Sequence, residues 1–255
     1  MANSPEQTPL PSQSHAMASF WYTHRRFAYL AVLLIGLVLF LIWLPVGARV
    51  SLQTALSAQR GLVILLCLFA LMTLSLIFSA GQHLDAQVFM LINLRGYPRW
   101  LDLFMWLSTQ FGNMLVAFIA AFLLFIMNYH RLAVEIIFGT LTLWLLVEII
   151  KALSDRDRPF LIIDKTRIIG WREKGDSFPS GHTTQIFFLV TLFVHRFQLG
   201  MVESIALYAV AALVGITRIY VGAHYPRDVI AGVVLGSVWG ILAMLVDHYW
   251  LGLHF

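Results

Sequence analysis

Long apolar runs separated by short polar stretches dominate this chain. Runs close to the length needed to cross a bilayer occur at about 27–45, 61–79, 112–129, 132–150, 183–199, 203–221 and 228–247. The runs lack the alternation of apolar and polar residues that a membrane β-barrel needs. Inside a bilayer, a continuous apolar run satisfies its backbone hydrogen bonds by forming a helix. The pattern therefore predicts an all-α, polytopic transmembrane helical bundle with about six to seven spans.

The region 80–111 has a different pattern, because its apolar residues recur at the spacing of one helix face on either side of "GYP". Trp100 and Trp106 are typical of the membrane–water interface. We expect interfacial helices at 80–111, although ordinary loop helices would give the same pattern.

Three segments follow from the distribution of polar residues. Residues 1–26 are polar and proline-rich at their start, and we expect a disordered tail there. Residues 27–79 hold two N-terminal transmembrane spans. Residues 80–255 form the remaining unit, which includes the interfacial helices and the polar clusters described below.

Composition supports a membrane protein and excludes several functions. Of 255 residues, 60% are hydrophobic and 12% are charged, and the net charge is only +4. No basic stripe with interleaved aromatic residues is present, so nucleic acid is not an expected partner. Cys67 is the single cysteine, which excludes an intrachain disulfide and a cysteine-rich metal site. No cluster has the Asp, Glu and His count of a metal site, and we expect neither a metal nor another cofactor.

The first polar cluster is "KALSDRDRP", at the end of the fourth apolar run. Lys151 and Arg158 are seven residues apart, so they share a helix face if the helix continues as far as Pro159. Two cations on one face at a membrane surface favour a bound anion. The alternative is a rim of snorkelling side chains that pair with Asp155 and Asp157.

The second cluster is "FPSGHTTQ", at the start of the fifth run. Pro179 suits the first turn of a helix and Ser180 suits its cap. The free backbone N–H groups of a helix start favour an anion, and His182 adds a titratable group at the same place. Alone, this cluster is equally consistent with a capped helix that ends in a polar rim.

The third cluster is "TRIYVGAHYPRD", which connects the last two runs. Arg218 ends the sixth run. His224 and Asp228 are four residues apart, a spacing that lets the carboxylate accept from the imidazole and orient it as a nucleophile or base. The alternative is a His–Asp cap on a short connection.

Alternation of the spans places all three clusters on one side of the membrane. The fourth run delivers Lys151 and Arg158 to that side, the fifth run leaves it at "PSGH", and the sixth returns to it at Arg218. The alternative explanations given above, one for each cluster, do not predict that all three clusters lie on the same side. Two histidines, an aspartate and three cations on one face are typical of a phosphate-ester site.

Together, the clusters resemble the motifs of the type 2 phosphatidic acid phosphatase (PAP2) superfamily, which includes bacterial acid phosphatases and vanadium haloperoxidases. They match its K-x6-RP, PSGH and SR-x5-H-x3-D motifs in order, spacing and position relative to the spans, over roughly residues 84–247. Thr217 replaces the usual serine of the third motif and keeps its hydroxyl group. Membrane members commonly have six spans, and this chain shows one apolar run more. The resemblance implies a PAP2/haloperoxidase-like catalytic core within 80–255.

The resemblance also implies a role for each matched residue, without a metal or cofactor. His224 attacks phosphorus and forms a phosphohistidine, Asp228 orients His224, and His182 protonates the leaving oxygen. The residues implied to hold the phosphoryl oxygens are Lys151, Arg158, Ser180, Gly181 and Arg218.

The implied function is an integral membrane lipid phosphatase. Its substrate would be a phosphomonoester or diphosphate of a membrane lipid, of the phosphatidate, phosphatidylglycerophosphate or isoprenyl diphosphate type. A lipid-to-lipid phosphotransferase would use the same site. More distant alternatives are an intramembrane serine protease acting through Ser180, which leaves three cations without a role, and an inactive lipid-binding or transport protein. The expected partners are the lipid phosphate and the bilayer, and the sequence does not indicate an oligomeric state.

Four basic residues between the first two clusters match no motif position: Lys165, Arg167, Arg172 and Lys174. We expect them to select substrates by binding a second phosphate. The alternative is that they solubilise the loop or meet anionic headgroups.

The charges of the loops do not decide the orientation of the protein in the membrane, since Lys and Arg residues fall on both sides of the membrane. The resemblance implies a multi-pass cell membrane protein, in a bacterial inner membrane with the active site facing the periplasm or exterior.

Overall fold

A computed structural model describes residues 60–246 apart from 77 and 78, together with scattered positions between 35 and 59. The chain divides into two compact units, Met1–Arg60 and Gly61–Phe255. The predicted tail at 1–26 lies outside the described residues, as does most of the predicted span at 27–45. The division of residues 1–79 into a tail and two spans therefore stays a prediction.

Most of the described residues from 60 onward are helical and none forms a strand, which confirms the all-α prediction. The helices are α1 (Arg60–Ser75), α2 (Ser79–Asn93), α3 (Arg99–Thr109), a 3-10 turn (Gln110–Gly112), α4 (Met114–Ile126), α5 (His130–Ser154), α6 (Pro159–Ile162), α7 (Gly181–Arg196), α8 (Met201–Tyr220) and α9 (Pro226–Val246).

Three helical stretches are long and apolar enough to cross a membrane: His130–Ile162, which comprises α5, the turn at 155–158 and α6, together with Met201–Tyr220 and Pro226–Leu245. A fourth crossing results only if Arg99–Gly112 and Met114–Ile126, which meet at a bend of 59°, count as one broken span. Helix α1 is apolar but has 16 residues, slightly short of a full crossing, and α7 also has 16 residues. The predicted six to seven spans are not confirmed within the described part of the chain.

Helix α2, in the predicted interfacial region, exposes its apolar residues and buries polar ones. Leu84 and Leu91 are 63% and 58% exposed, whereas Asp85 and Asn93 are buried on the opposite side with Phe89. A helix bathed in water would have the reverse arrangement. An outward apolar face suits a helix in contact with lipid, and it directs Asp85 toward the protein interior.

Helix α5 packs through one face into the largest buried cluster. Leu132, Ile136, Leu143 and Val147 recur at helical spacing and are at most 4% exposed. They pack against small residues of α4 and large apolar residues of α7. Its opposite face, including Phe138 at 64% exposure, remains uncovered and suits the hydrocarbon of a bilayer.

A glycine stripe allows α7 and α9 to pack backbone against backbone. Gly232, Gly236 and Gly240 lie four residues apart on α9, and a Cβ atom on Gly236 would overlap the carbonyl oxygen of Thr184 on α7. The two helices start side by side, because the Ser180 N–H donates to the Asp228 carbonyl at 3.0 Å. The second and third sequence clusters are thus brought together by close helix packing.

Candidate functional site

The first cluster reaches the site through a reversal of the chain. Helix α5 ends at Ser154, and Asp155 has left-handed backbone with φ of 45°, so the helix does not continue to Arg158. The expected common helix face of Lys151 and Arg158 is therefore wrong. Arg158 has extended backbone and caps α6, and it nevertheless lines the same pocket as Lys151.

Helix α7 begins at Gly181, with Ser180 as its N-cap residue. Pro179 therefore precedes the cap and does not occupy the first turn as predicted. The Ser180 side chain caps no backbone N–H; its Oγ lies 2.9 Å from Thr183 Oγ1 and is fully buried. Gly181 and His182 line the pocket, whereas the Ser180 hydroxyl is engaged behind it.

The carboxylate of Glu173 lies at the centre of the predicted phosphate-binding residues. Oε2 accepts from Arg158 at 2.9 Å, and Oε1 accepts from Arg218 in a very short contact. The same carboxylate lies 3.8 Å from His182 Nδ1 and 3.6 Å from His224 Nε2. Three sequence clusters therefore converge on one anionic group, and that group belongs to the chain's own loop.

Both arginines at this carboxylate are buried and oriented by other partners. Arg158 is 1% exposed, and its guanidinium also donates to the carbonyls of Gly175, Lys174 and Ala223 at 2.9–3.2 Å. Arg218 is 2% exposed and donates to Thr109 Oγ1 at 2.8 Å. Such fixed cations provide a preorganised oxyanion site, because they need little rearrangement to bind.

The electrostatics of Glu173 follow from this position. Burial favours the neutral acid, but the charge of Arg218 outweighs it and holds the pKa of the Glu173 carboxyl well below its ordinary value. Glu173 is therefore anionic at neutral pH. A carboxylate supplies the negative oxygens that a phosphoryl group would present to the same arginines.

The nearest partner of His224 Nδ1 is a backbone carbonyl. Nδ1 lies 2.7 Å from the Ser177 oxygen and 3.7 Å from Asp228 Oδ2. A carbonyl only accepts, so Nδ1 carries the proton, and the lone pair of Nε2 faces Arg158 at 3.3 Å and Glu173 at 3.6 Å. Asp228 accepts at 2.5 Å from the hydroxyl of the same Ser177. Asp228 thus fixes His224 mainly through Ser177, a residue that the sequence analysis did not select.

Lys151 is paired within its own helix. Its Nζ donates to Glu148 Oε1, one helical turn away, at 2.8 Å. Both residues line the pocket, as does His182, but Lys151 does not share the Glu173 carboxylate with the two arginines.

The pocket has a volume of about 310 Å³ and two chemically distinct parts. One part is charged and holds Arg158, Glu173 and His182. The other is formed by Met114 and by apolar side chains of α5 that include Trp144. The complete lining is Gly112, Asn113, Met114, Leu143, Trp144, Val147, Glu148, Lys151, Arg158, Glu173, Lys174, Gly181, His182 and Gln185.

The four basic loop residues have different environments. Arg167 donates to both oxygens of Asp102 at 2.7 and 2.9 Å and lies over the rings of Tyr97 and Tyr220, so it anchors the loop to α3 and α8. Arg172 lies over the Phe160 ring. Of the four, only Lys174 lines the pocket. Lys165 is exposed.

No group of three or more His, Cys, Asp or Glu side chains between residues 60 and 246 is placed to hold a metal ion. The site residues that the sequence analysis missed are Glu173, Ser177 and Arg156. Arg156 sits inside "KALSDRDRP" and pairs with Asp228. Glu173 is a single acid in a charged loop, and no local pattern distinguishes it.

The chain resembles known proteins in sequence and in fold. Residues 132–251 match the model of the PAP2 superfamily. An undecaprenyl-diphosphatase from Sulfolobus acidocaldarius is 27% identical over 192 residues, which are 72% of this chain and 90% of that protein. A lipid A 1-phosphatase from Rhizobium johnstonii is 40% identical over 74 residues, 28% of either chain. A solved PAP2-type phosphatidylglycerolphosphate phosphatase from Bacillus subtilis shares the fold, with a TM-score of 0.60 and 23% identity over 74% of this chain and 96% of its own.

Proposed function

From the PAP2 superfamily domain that this chain carries at residues 132–251, we infer that the protein is a membrane lipid phosphatase, and we propose that it acts through a phosphohistidine on His224. The proposed reaction removes a phosphoryl group from a phosphomonoester or diphosphate of a membrane lipid. The proposed residues are His224, His182 and Asp228 for the chemistry, and Arg158, Arg218, Lys151 and the start of α7 for binding.

The observation that carries this proposal is the position of the Glu173 carboxylate. Two buried arginines hold this oxyanion with the imidazoles of His182 and His224 within 3.8 Å of it. A phosphoryl group that displaces Glu173 would meet the same arginines, with His224 Nε2 directed toward phosphorus. Arg218 Nε is buried and has no hydrogen-bond partner among the described residues, so it remains a donor for an anion with more oxygens than a carboxylate.

In the first step, the Nε2 lone pair of His224 forms a bond to phosphorus while the bond from phosphorus to the leaving oxygen breaks. Burial and the charge of Arg218 lower the pKa of His182 to about 3 in the free site; the negative charge of a bound phosphoryl group would raise it, so that His182 can give its proton to the leaving oxygen. Arg158 and Arg218 stabilise the charge on the equatorial oxygens, which is the main catalytic requirement of phosphoryl transfer. The Ser177 carbonyl keeps the proton on Nδ1 and stabilises the positive charge that develops on the ring.

In the second step, water attacks phosphorus, the bond to Nε2 breaks, and phosphate leaves. His182, now neutral, takes the proton of the attacking water. The two arginines provide the positive charge in both steps. For this reason we propose a metal-independent mechanism.

The substrate class follows from the two parts of the pocket. The apolar part next to Met114 and Trp144 would hold the beginning of a lipid tail, and the charged part would hold the headgroup. The similarity to an undecaprenyl-diphosphatase over 90% of that protein favours an isoprenyl diphosphate. Phosphatidate, phosphatidylglycerophosphate and lipid A phosphates are the compounds for comparison.

We also propose that the protein lies in a bacterial inner membrane with this site facing the periplasm or exterior. A cysteine at Asp164, which is exposed in the loop before α7, reports the side directly, after Cys67 is replaced by serine. A membrane-impermeant thiol reagent should label Asp164→Cys in intact cells. Labelling only after lysis would place the site in the cytoplasm.

The test of the function is phosphate release by the purified protein in nanodiscs, with an isoprenyl diphosphate, phosphatidate, phosphatidylglycerophosphate and lipid A, in the presence of excess chelator. His224→Ala is the control for contaminating phosphatases. Release that requires His224 and persists in chelator supports the proposal. Release restored only by added Mg²⁺, or release unaffected by His224→Ala, contradicts it. Labelled phosphate that appears on a second lipid and not in water would identify the phosphotransferase instead.

A further inference from the structure

We propose that Arg156 is a positioning residue for His224 and that Asp85 holds Arg156 in place for this purpose. The inference rests on the proposed function, because it concerns the histidine assigned to attack phosphorus. Arg156 is not among the residues that line the pocket. It acts through Asp228 and Ser177.

Asp228 is fully buried, and its oxygens are bound by partners other than His224. Oδ2 accepts from Ser177 Oγ at 2.5 Å and from the Tyr225 N–H at 2.8 Å. Oδ1 accepts from Arg156 in a very short contact. Since His224 Nδ1 is 3.7 Å from Oδ2, the cation that balances this buried carboxylate is Arg156.

Arg156 is itself fixed on three sides. One terminal nitrogen bonds Asp228, and the other donates to Asp85 Oδ2 at 2.5 Å. Its guanidinium lies 4.5 Å from the centre of the Tyr225 ring. Tyr225 is the residue that follows His224 in the sequence. A planar guanidinium is suited to bridging two carboxylates, and lysine has no equivalent geometry.

Asp85 completes a charge-balanced group between α2, the first cluster and α9. It also accepts from Arg227, through Nε at 2.6 Å and through the backbone N–H at 3.1 Å. Two carboxylates and two guanidiniums are thus paired, with both carboxylates at most 3% exposed. Removing one partner from such a buried group leaves an uncompensated charge, and the neighbouring titratable group responds.

The titratable group that would respond is His224. On its Nδ1 side lie Asp228 and the Ser177 carbonyl. On its Nε2 side lie Arg158 at 3.3 Å and Glu173 at 3.6 Å, and Glu173 is paired in turn with Arg218. Without Arg156, Asp228 would carry an unbalanced negative charge beside Nδ1 and favour the imidazolium. An imidazolium has no lone pair on Nε2, so it cannot attack phosphorus.

The experiment compares the pH dependence of kcat/KM for phosphate release in the wild type and in Arg156→Gln. We expect the midpoint of the acid limb to move to higher pH by on the order of one unit. The ionisation of the substrate contributes equally to both profiles and cancels in the difference. The double variant Arg156→Gln/Asp228→Asn also removes the unbalanced carboxylate, and its midpoint should return toward the wild-type value.

Arg167→Gln is the matched control. It removes an arginine that is likewise paired with an aspartate and stacked on tyrosines, but at Asp102, away from His224. We expect it to lower thermal stability without moving the midpoint. Arg156→Lys keeps the charge and loses the bridge, so its midpoint should stay near that of the wild type while kcat falls several-fold.

A wild-type midpoint in Arg156→Gln, or an equal shift in Arg167→Gln, overturns the inference. If Arg156→Gln does not fold, the double variant and Arg156→Lys decide, and a raised midpoint in either one also overturns it. Failure of the proposed function looks different, because His224→Ala would then still release phosphate.

Discussion

Arg158 donates to the carboxylate of Glu173 at 2.9 Å, although the two residues belong to different segments of the chain. The same carboxylate also engages Arg218. The proposed anion-binding centre is therefore filled by the protein's own loop. In the proposed mechanism a substrate must displace Glu173, so the affinity for anions contains the cost of that displacement.

Replacement of Glu173 by glutamine should strengthen inhibition by vanadate by about tenfold, because the competing charged hydrogen bonds are lost. The pKa of the Glu173 carboxyl is held below its ordinary value, so Glu173 stays ionised as the pH falls and would protonate only in stronger acid. The ratio of the two inhibition constants should therefore stay constant between about pH 5 and pH 8.

The matched control for this prediction is Glu148→Gln. It neutralises a carboxylate of the same pocket that is bound to Lys151 and not to the two arginines. The inhibition constant of vanadate for this variant should resemble that for the wild type. Equal strengthening in both variants would mean that the overall charge of the pocket matters and that competition by Glu173 does not.

The two histidines should differ in their response to the leaving group. His224→Ala removes the nucleophile, so no substrate should release phosphate or label the protein. His182→Ala removes the acid, and a substrate with a good leaving group, such as an aryl phosphate, should still form an acid-labile phosphoenzyme that then hydrolyses slowly. Rapid-quench labelling with a radioactive aryl phosphate measures this directly. Full activity toward the lipid in either variant, at normal expression, would contradict the mechanism.

Among the loop lysines, Lys174 should contribute to substrate choice and Lys165 should not. Both are exposed, but only Lys174 lines the pocket. An exposed charge contact is worth about 0.2–1 kcal/mol, so Lys174→Ala should lower kcat/KM for a lipid diphosphate by up to about fivefold relative to a lipid monophosphate. Lys165→Ala is the control, and the measurement is the ratio of kcat/KM for the two lipids. An unchanged ratio in both variants would show that neither lysine binds a second phosphate.

Gly236→Ala should destabilise the protein, because its Cβ would overlap the Thr184 carbonyl and separate α7 from α9. Overpacking of this kind costs about 1–3 kcal/mol, which outweighs the gain in helix propensity. The control is Gly61→Ala in α1, where a Cβ has no neighbour within 4 Å. Thermal unfolding in detergent should show a lower midpoint for Gly236→Ala only. Since α7 and α9 carry His182 and Asp228, activity should fall with stability.

Sequence alone determined the membrane character, the helical class, and the identity of the motif histidines and arginines that surround the Glu173 carboxylate. These features follow from hydrophobic run length and from spacing within short segments, which act locally along the chain. Local spacing also places Glu148 one turn from Lys151, and the two side chains pair. It failed at Arg158, because the left-handed turn at Asp155 ends the helix, and it placed Pro179 one residue inside a helix that starts later.

Only the tertiary structure decided which partner each charge takes. Arg156 meets Asp85 across 71 positions of sequence, and Arg167 meets Asp102 across 65. Ser177 and Glu173 enter the site from a loop that no periodicity describes. A buried charge must find an opposite charge wherever the packed helices bring one, and that choice depends on distance in space and not on distance along the chain.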